Sequence, residues 1–151
     1  MLTAAAVVVC ALDLLARSQA SVPIRFLETP PRGASRNVEA FVTRHPDTIY
    51  LITTTDAFQS ARRGPYERGS NEGCRHIAGV IVHEEWHLRN GDDEEGAYLA
   101  QLTALASLGA SNAMLGGVRR SMMFVLDQQK RRRRELVALQ TTGPVLIGPP
   151  D

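Results

Sequence analysis

The stretch that most constrains this chain is His83-Glu84-Glu85-Trp86-His87, an HExxH pattern. On a helix, residues four apart stand one above the other on the same face, so both imidazoles can reach a single metal ion. Zinc accepts such nitrogens at about 2.0–2.1 Å. Glu84 lies about 100° further round the helix. That is too far round for a third ligand beside the histidines, and it suits a base that takes a proton from a metal-activated water. The flanks agree with this. Residues 77–82 are apolar, as expected of a helix buried against a core rather than one lying on a surface. Asn90-Gly91 reads as a helix stop, with Gly91 able to take a left-handed conformation. Asp92 and Asp93 then offer an N-cap for a second helix, which can return an acidic side chain to the metal.

That side chain is Glu94 or Glu95. With Asp92 as the N-cap, Glu95 falls at the reciprocal position of a capping box, which leaves Glu94 free for the metal. Asp92 and Asp93 are the remaining alternatives. Glu94, Tyr98 and Gln101 are spaced i, i+4, i+7 and share one helix face that could line a site. Tyr98, Gln101 and Glu95 are therefore the candidate substrate-contacting or supporting residues. Trp86 is read as packing beside the site. HExxH, a short glycine-containing turn and Glu94-x-x-Ala97-Tyr98 together resemble small single-domain zincins, including the ImmA/IrrE-like metallopeptidases. The resemblance covers about residues 74–109. In that family a Glu-x-x-Ala helix supplies the third ligand. The resemblance thus implies His83, His87 and Glu94 as zinc ligands and Glu84 as the catalytic base. The chain carries neither the third histidine of metzincins nor the Asn-Glu pair usual in thermolysin-like enzymes.

The remaining pattern predicts an α+β, compact zincin-like domain. Residues 2–18 are helical in pattern and rich in Ala and Leu. Strand candidates follow at residues 24–27, 38–42 and 48–53, the last being the strongest through its β-branched and aromatic content. Residues 56–63 suit a short helix. Residues 64–73 read as a mobile loop, a place for a lid in which Tyr66 and Arg68 could meet substrate. After the HExxH helix and the metal-ligand helix, Ser111 can cap a short helix ending near Gly116-Gly117. A long final helix over residues 118–140 comes next. Residues 1–140 form one domain by length, and residues 141–151, rich in Gly and Pro, form a loose tail.

A net charge of +1 predicts no general affinity for nucleic acid or membrane. The run Lys130-Arg131-Arg132-Arg133-Arg134 wraps most of a helix circumference, so it reads first as a solvated surface and second as a site for an acidic partner. Cys10 and Cys74 are read as unpaired, with Cys74 a partly buried free thiol; a bridge between them is the alternative. His76 is read as exposed at a helix start, and His45 carries no signal. Residues 2–17 are read as a helix packed on the core, which places the chain in the cytoplasm. The alternative is a signal peptide over residues 1–20 and secretion. No run is long and apolar enough for a transmembrane span. The functional reading is a zinc-dependent hydrolase, a metallopeptidase acting on a peptide or protein, with oligomeric state left open. The alternative is a non-catalytic zinc-stabilised module whose Arg-rich helix contacts a protein or nucleic acid.

Overall fold

Burial on every side is what the apolar run before His83 demands, and one central helix meets that demand. A computed structural model of the chain describes residues 1–35, 38–65, 67 and 69–141, the side chain of Thr141 excepted. Its order is α1 (Ala4–Leu14), β1 (Ile24–Leu27), β2 (Ala40–Thr43), β3 (Thr48–Ile52), α2 (Asp56–Arg63), α3 (Glu72–Asn90), α4 (Glu94–Ser107) and α5 (Asn112–Thr141). The architecture is α+β. α3 packs against α1 and α2 on one side, α4 on another, and the sheet through β2 and β3. Ile77, Ala78, Val80 and Ile81 are buried, joined in the core by Val7, Ala11, Ile49, Leu51 and Phe58. Burying one such aliphatic side chain contributes about 1.5–3 kcal/mol, so this cluster holds α3 in place.

The sheet is mixed, in the order β1-β3-β2, with β3 central. β3 pairs parallel with β1 and antiparallel with β2. Central placement explains why β3 has the most continuous apolar sequence: four of its five residues are buried. Phe41 and Tyr50, directly opposite in the β2–β3 register, stack at 5.0 Å between ring centroids. β2 begins at Ala40, two residues later than the alternation suggested, and β3 ends at Ile52.

Loop ends are fixed by side chains. Asn71 caps α3 by accepting from the Cys74 amide at 3.0 Å, and its Nδ2 donates to the carbonyls of Ala61 and Pro65. Arg75 pairs with Glu72 and donates to the Gly69 carbonyl at 2.6 Å. Gly73 allows α2 and α3 to touch, because a Cβ there would run into the Ala61 backbone. Asn71 to Gly73 are thus tied down, and none of the described residues of the 64–73 segment lines the site cleft described below. Tyr66 and Arg68 lie outside the described residues, as does the tail over 142–151.

Three further expectations are corrected. Cys10 and Cys74 form a disulfide joining α1 to the first turn of α3, with Cα atoms 5.9 Å apart. Cys74 is fully buried, so it is neither free nor partly exposed. Sequence spacing could not show that the two helices lie side by side. Second, α5 is one continuous helix from Asn112, with Ser111 accepting from the Met114 amide at 3.2 Å. Gly116 and Gly117 each cost about 1 kcal/mol of helix propensity, too little to break a helix of this length that packs on α4. Third, α4 is capped by Asp93, not Asp92: its carboxylate accepts from the Gly96 amide at 3.1 Å, so Glu95 holds no capping-box position. No helix among the described residues is long and apolar enough to cross a membrane.

Candidate metal centre

α3 and α4 pack against each other beside the HExxH segment. Gly79 of α3 faces Leu105 of α4 so tightly that an added Cβ would lie 2.8 Å from the leucine Cγ. The turn between the helices is two residues beyond Gly91, whose φ of 78° and ψ of −151° only glycine adopts without strain. This turn brings the start of α4 back over the end of α3. Glu94, the first residue of α4, therefore stands beside His83 and His87.

The two histidine Nε2 atoms are 3.2 Å apart. Glu94 places one oxygen 3.5 Å from His83 Nε2 and the other 3.6 Å from His87 Nε2. Among the described residues, these three form the one group of metal-type side chains whose ligand atoms lie within 4.8 Å of one another. Four-coordinate zinc with bonds of about 2.0–2.1 Å sets neighbouring ligand atoms roughly 3.3–3.4 Å apart, so the observed spacings fit it.

The protonation chemistry of the donor set fits as well. His87 Nδ1 lies 2.8 Å from the Gly91 carbonyl, which can only accept, so Nδ1 carries the proton. His83 Nδ1 lies 3.1 Å from Gln101 Oε1 and donates to it. With Nδ1 committed outward, each ring turns its Nε2 toward Glu94. Such outward donation to a carbonyl or amide is how ligand histidines are oriented at metal sites. The His83 and then the His87 hydrogen bonds hold the Glu94 carboxyl down at about 2. Glu94 in turn raises His87 to about 9.

Glu84 is buried in the same cleft, 6 % exposed. Burial pushes its carboxyl up to about 7; the charges of His83 and His87 oppose this, and those of Glu94 and Glu39 reinforce it. A carboxyl so poised exchanges a proton readily near neutrality. Tyr98 meets the edge of the His83 ring at 4.6 Å between centroids. Burial, helped by the Glu94 charge, raises its phenol to about 12, so it stays a hydroxyl donor.

Of the residues expected at the site, Glu84, His83, His87, Glu94, Tyr98 and Gln101 all line one cleft of about 1000 Å³. Gln101 is buried and bonded to His83. Glu95 is exposed and outside the cleft. Asp92 lines the cleft without joining the ligand cluster, and Asp93 is occupied as a cap. Trp86 packs against Gly96 at the head of α4, where a Cβ would come within 2.6 Å of the indole.

Several participants carried no signal in the sequence. His76, expected exposed, is in the second turn of α3, and its Nε2 lies 2.9 and 3.0 Å from the two oxygens of Glu39. Burial works to lower its pKa, and the Glu39 bond and charge outweigh that and raise it. Glu39 lies just before β2 and faces the cleft. Glu85, next to Glu84, does not line the cleft. It is 1 % exposed and accepts from Arg17 and Ser21, each at 2.6 Å. Arg44 donates to the His87 carbonyl at 2.8 Å, tying the end of β2 to the site. The chain matches no protein-family model, no curated protein and no solved structure.

Proposed function

We propose that the chain is a zinc-dependent hydrolase, a metallopeptidase in which His83, His87 and Glu94 hold the metal and Glu84 is the general base. The observation that carries this reading is the donor set. Two imidazoles with Nδ1–H committed outward, and a carboxylate returned by the next helix, converge at spacings suited to a tetrahedral ion. Two nitrogens and one oxygen suit zinc, and three protein ligands leave a coordination position open, as catalytic sites need. A zinc ion held there would polarise a substrate carbonyl and bring a water's pKa down to about 7.

The remaining roles belong to side chains of this chain. Glu84, buried in the cleft about 100° round the helix from His83, accepts the proton of the attacking water and passes it to the leaving amine. The Tyr98 hydroxyl, held against His83, can donate to the oxygen on which negative charge develops. β2 is an edge strand whose residues 40–42 line the cleft, so an extended peptide can pair along it. The Cys10–Cys74 bond suits an oxidising compartment, and it needs α1, which carries Cys10, kept as part of the fold.

The test is metal content together with hydrolysis. Purified protein should hold about one zinc, and Glu94→Ala should lose most of it. Glu84→Gln should keep the zinc and the fold while hydrolysis of a peptide library, read by mass spectrometry, falls by roughly 10² or more. Loss of zinc in Glu84→Gln, or undiminished hydrolysis, would overturn the assignment of the base. Full zinc in a His83→Ala/His87→Ala chain would overturn the site.

A further inference from the structure

The charge of this chain is distributed unevenly. α5 holds seven of the seventeen basic residues and two of the sixteen acidic ones. With a whole-chain charge of +1, α5 is strongly positive and the remainder is negative. Five of those cations are the consecutive Lys130, Arg131, Arg132, Arg133 and Arg134. Up to Gln129 the helix lines the cleft that contains the candidate metal centre. From Lys130 to Gln140 every side chain is exposed. The basic run therefore starts on the residue after the last cleft residue.

The arm is exposed along its length, and it stays helical for a local reason. Lys, Arg, Leu, Ala and Gln are strong helix formers. Arg131 also pairs with Asp127 at 2.9 Å across one turn. Lys130, Arg132, Arg133 and Arg134 have no ion-pair partner among the described residues. Large exposed apolar side chains flank the charge: Met123 is 64 % exposed, Phe124 60 % and Leu136 61 %.

We propose that this arm recruits the substrate, docking an acidic, partly apolar segment of a target protein whose cleaved bond lies in the adjoining cleft. The proposal rests on the hydrolase reading and adds to it the class of substrate. Continuity carries it: a chain leaving the cleft along α5 must pass over the basic turns. Arg132 is fourteen residues beyond Val118, about 21 Å along the helix, which an extended peptide covers in about six residues. The acidic cluster is thus expected about six positions from the residue that rests on Val118. Nucleic acid fits less well. The run is about 7.5 Å long, the length of roughly four duplex phosphates, whereas duplex binders commonly neutralise 6–10. The cleft beside it also carries Glu39, Glu84, Asp92 and Glu94, which would repel a polyanion. The apolar residues flanking the run ask for side chains that a peptide has and a phosphate backbone lacks.

The experiment is fluorescence anisotropy with the full chain and a labelled twelve-residue peptide that alternates glutamates with leucines. Wild type should bind it, and more weakly as salt rises. A peptide with glutamines for the glutamates should bind at least tenfold less tightly. So should the wild-type peptide to the variant carrying Arg131→Gln, Arg132→Gln, Arg133→Gln and Arg134→Gln. Circular dichroism checks that the arm stays helical, which glutamine permits. Equal binding by variant and wild type would overturn the proposal. So would tighter binding of a labelled DNA duplex, or of phosphatidylserine vesicles, than of the acidic peptide. The readout needs no turnover, so its failure with zinc and hydrolysis intact removes only the recruitment role. Loss of zinc and hydrolysis with the docking intact would remove only the hydrolase reading.

Discussion

Removing the Cys10–Cys74 bridge should cost a large part of the stability, yet leave the candidate metal site standing. The bond closes a loop with a sequence separation of 64. In the chain-entropy account, opening a loop of that size releases about 14 cal/mol/K to the unfolded state, or about 4 kcal/mol at room temperature. Domains of this length are stable by roughly 7–15 kcal/mol, so the bridge is a large fraction of the whole. Cys74 is also fully buried among core residues, which adds a packing loss when it is replaced. The perturbation is Cys10→Ala with Cys74→Ala, compared with wild type in the presence and absence of a thiol reductant. Urea unfolding followed by circular dichroism should show the midpoint falling by about 2 M, for a slope near 2 kcal/mol per M. The double variant should be insensitive to reductant. Zinc affinity, measured by competition with a chromophoric chelator under folding conditions, should stay within a few fold of wild type. The reason is positional: the bridge fastens α1 to the first turn of α3, while the proposed ligands lie toward the far end of α3 and on α4. Two reactive thiols in the unfolded, unreduced chain would refute the bridge. A midpoint shift below about 0.5 M would refute the loop argument. Zinc loss in a variant that remains folded would show that α1 supports the site after all.

Gln101→Leu keeps the size of the side chain and removes the acceptor that orients His83, so zinc affinity should fall about 10- to 100-fold with little change in fold, as isothermal titration would read. Glu85 gives a pH signature. Burial tends to raise its carboxyl, but the bonds from Arg17 and Ser21 outweigh burial and hold it below the usual value. A depressed folded pKa contributes stability that is present above about pH 4.3 and is lost as pH falls from there through the lower folded value. Glu85→Gln should therefore cost roughly 2 kcal/mol at pH 7, moderated by solvent around the half-exposed Arg17, and lack that acid-side loss in thermal melts from pH 7 to pH 3. Parallel wild-type and variant curves over that range would refute it.

Local chemistry made much of this chain legible. The spacing of His83 and His87 is a property of any helix, so it placed both rings on one face before any tertiary contact was known. Residues 48–52 had to be strand because their β-branched and aromatic side chains fit a pleat, and Asp56–Arg63 is helical as its pattern indicates. Gly91 marked the end of α3 because only a residue without Cβ turns the chain there. The sequence offers Glu94 or Glu95 for the metal, and the cap it places at Asp92 lies one position later, at Asp93. Everything that depends on which elements lie side by side was decided by the tertiary structure. Cys10 meets Cys74 because α1 packs along α3, and Arg17 and Ser21 reach Glu85 for the same reason. Glu39 meets His76 because β2 lies against α3. Gly91 also serves as the acceptor for His87, a role set by where its carbonyl points and not by its identity. α5 runs through its two glycines because packing on α4 outweighs a propensity cost of about 1 kcal/mol each. Periodicity and capping act within a few residues, so they are written locally. Contacts across 37, 64 or 68 positions arise only when the whole core closes around α3.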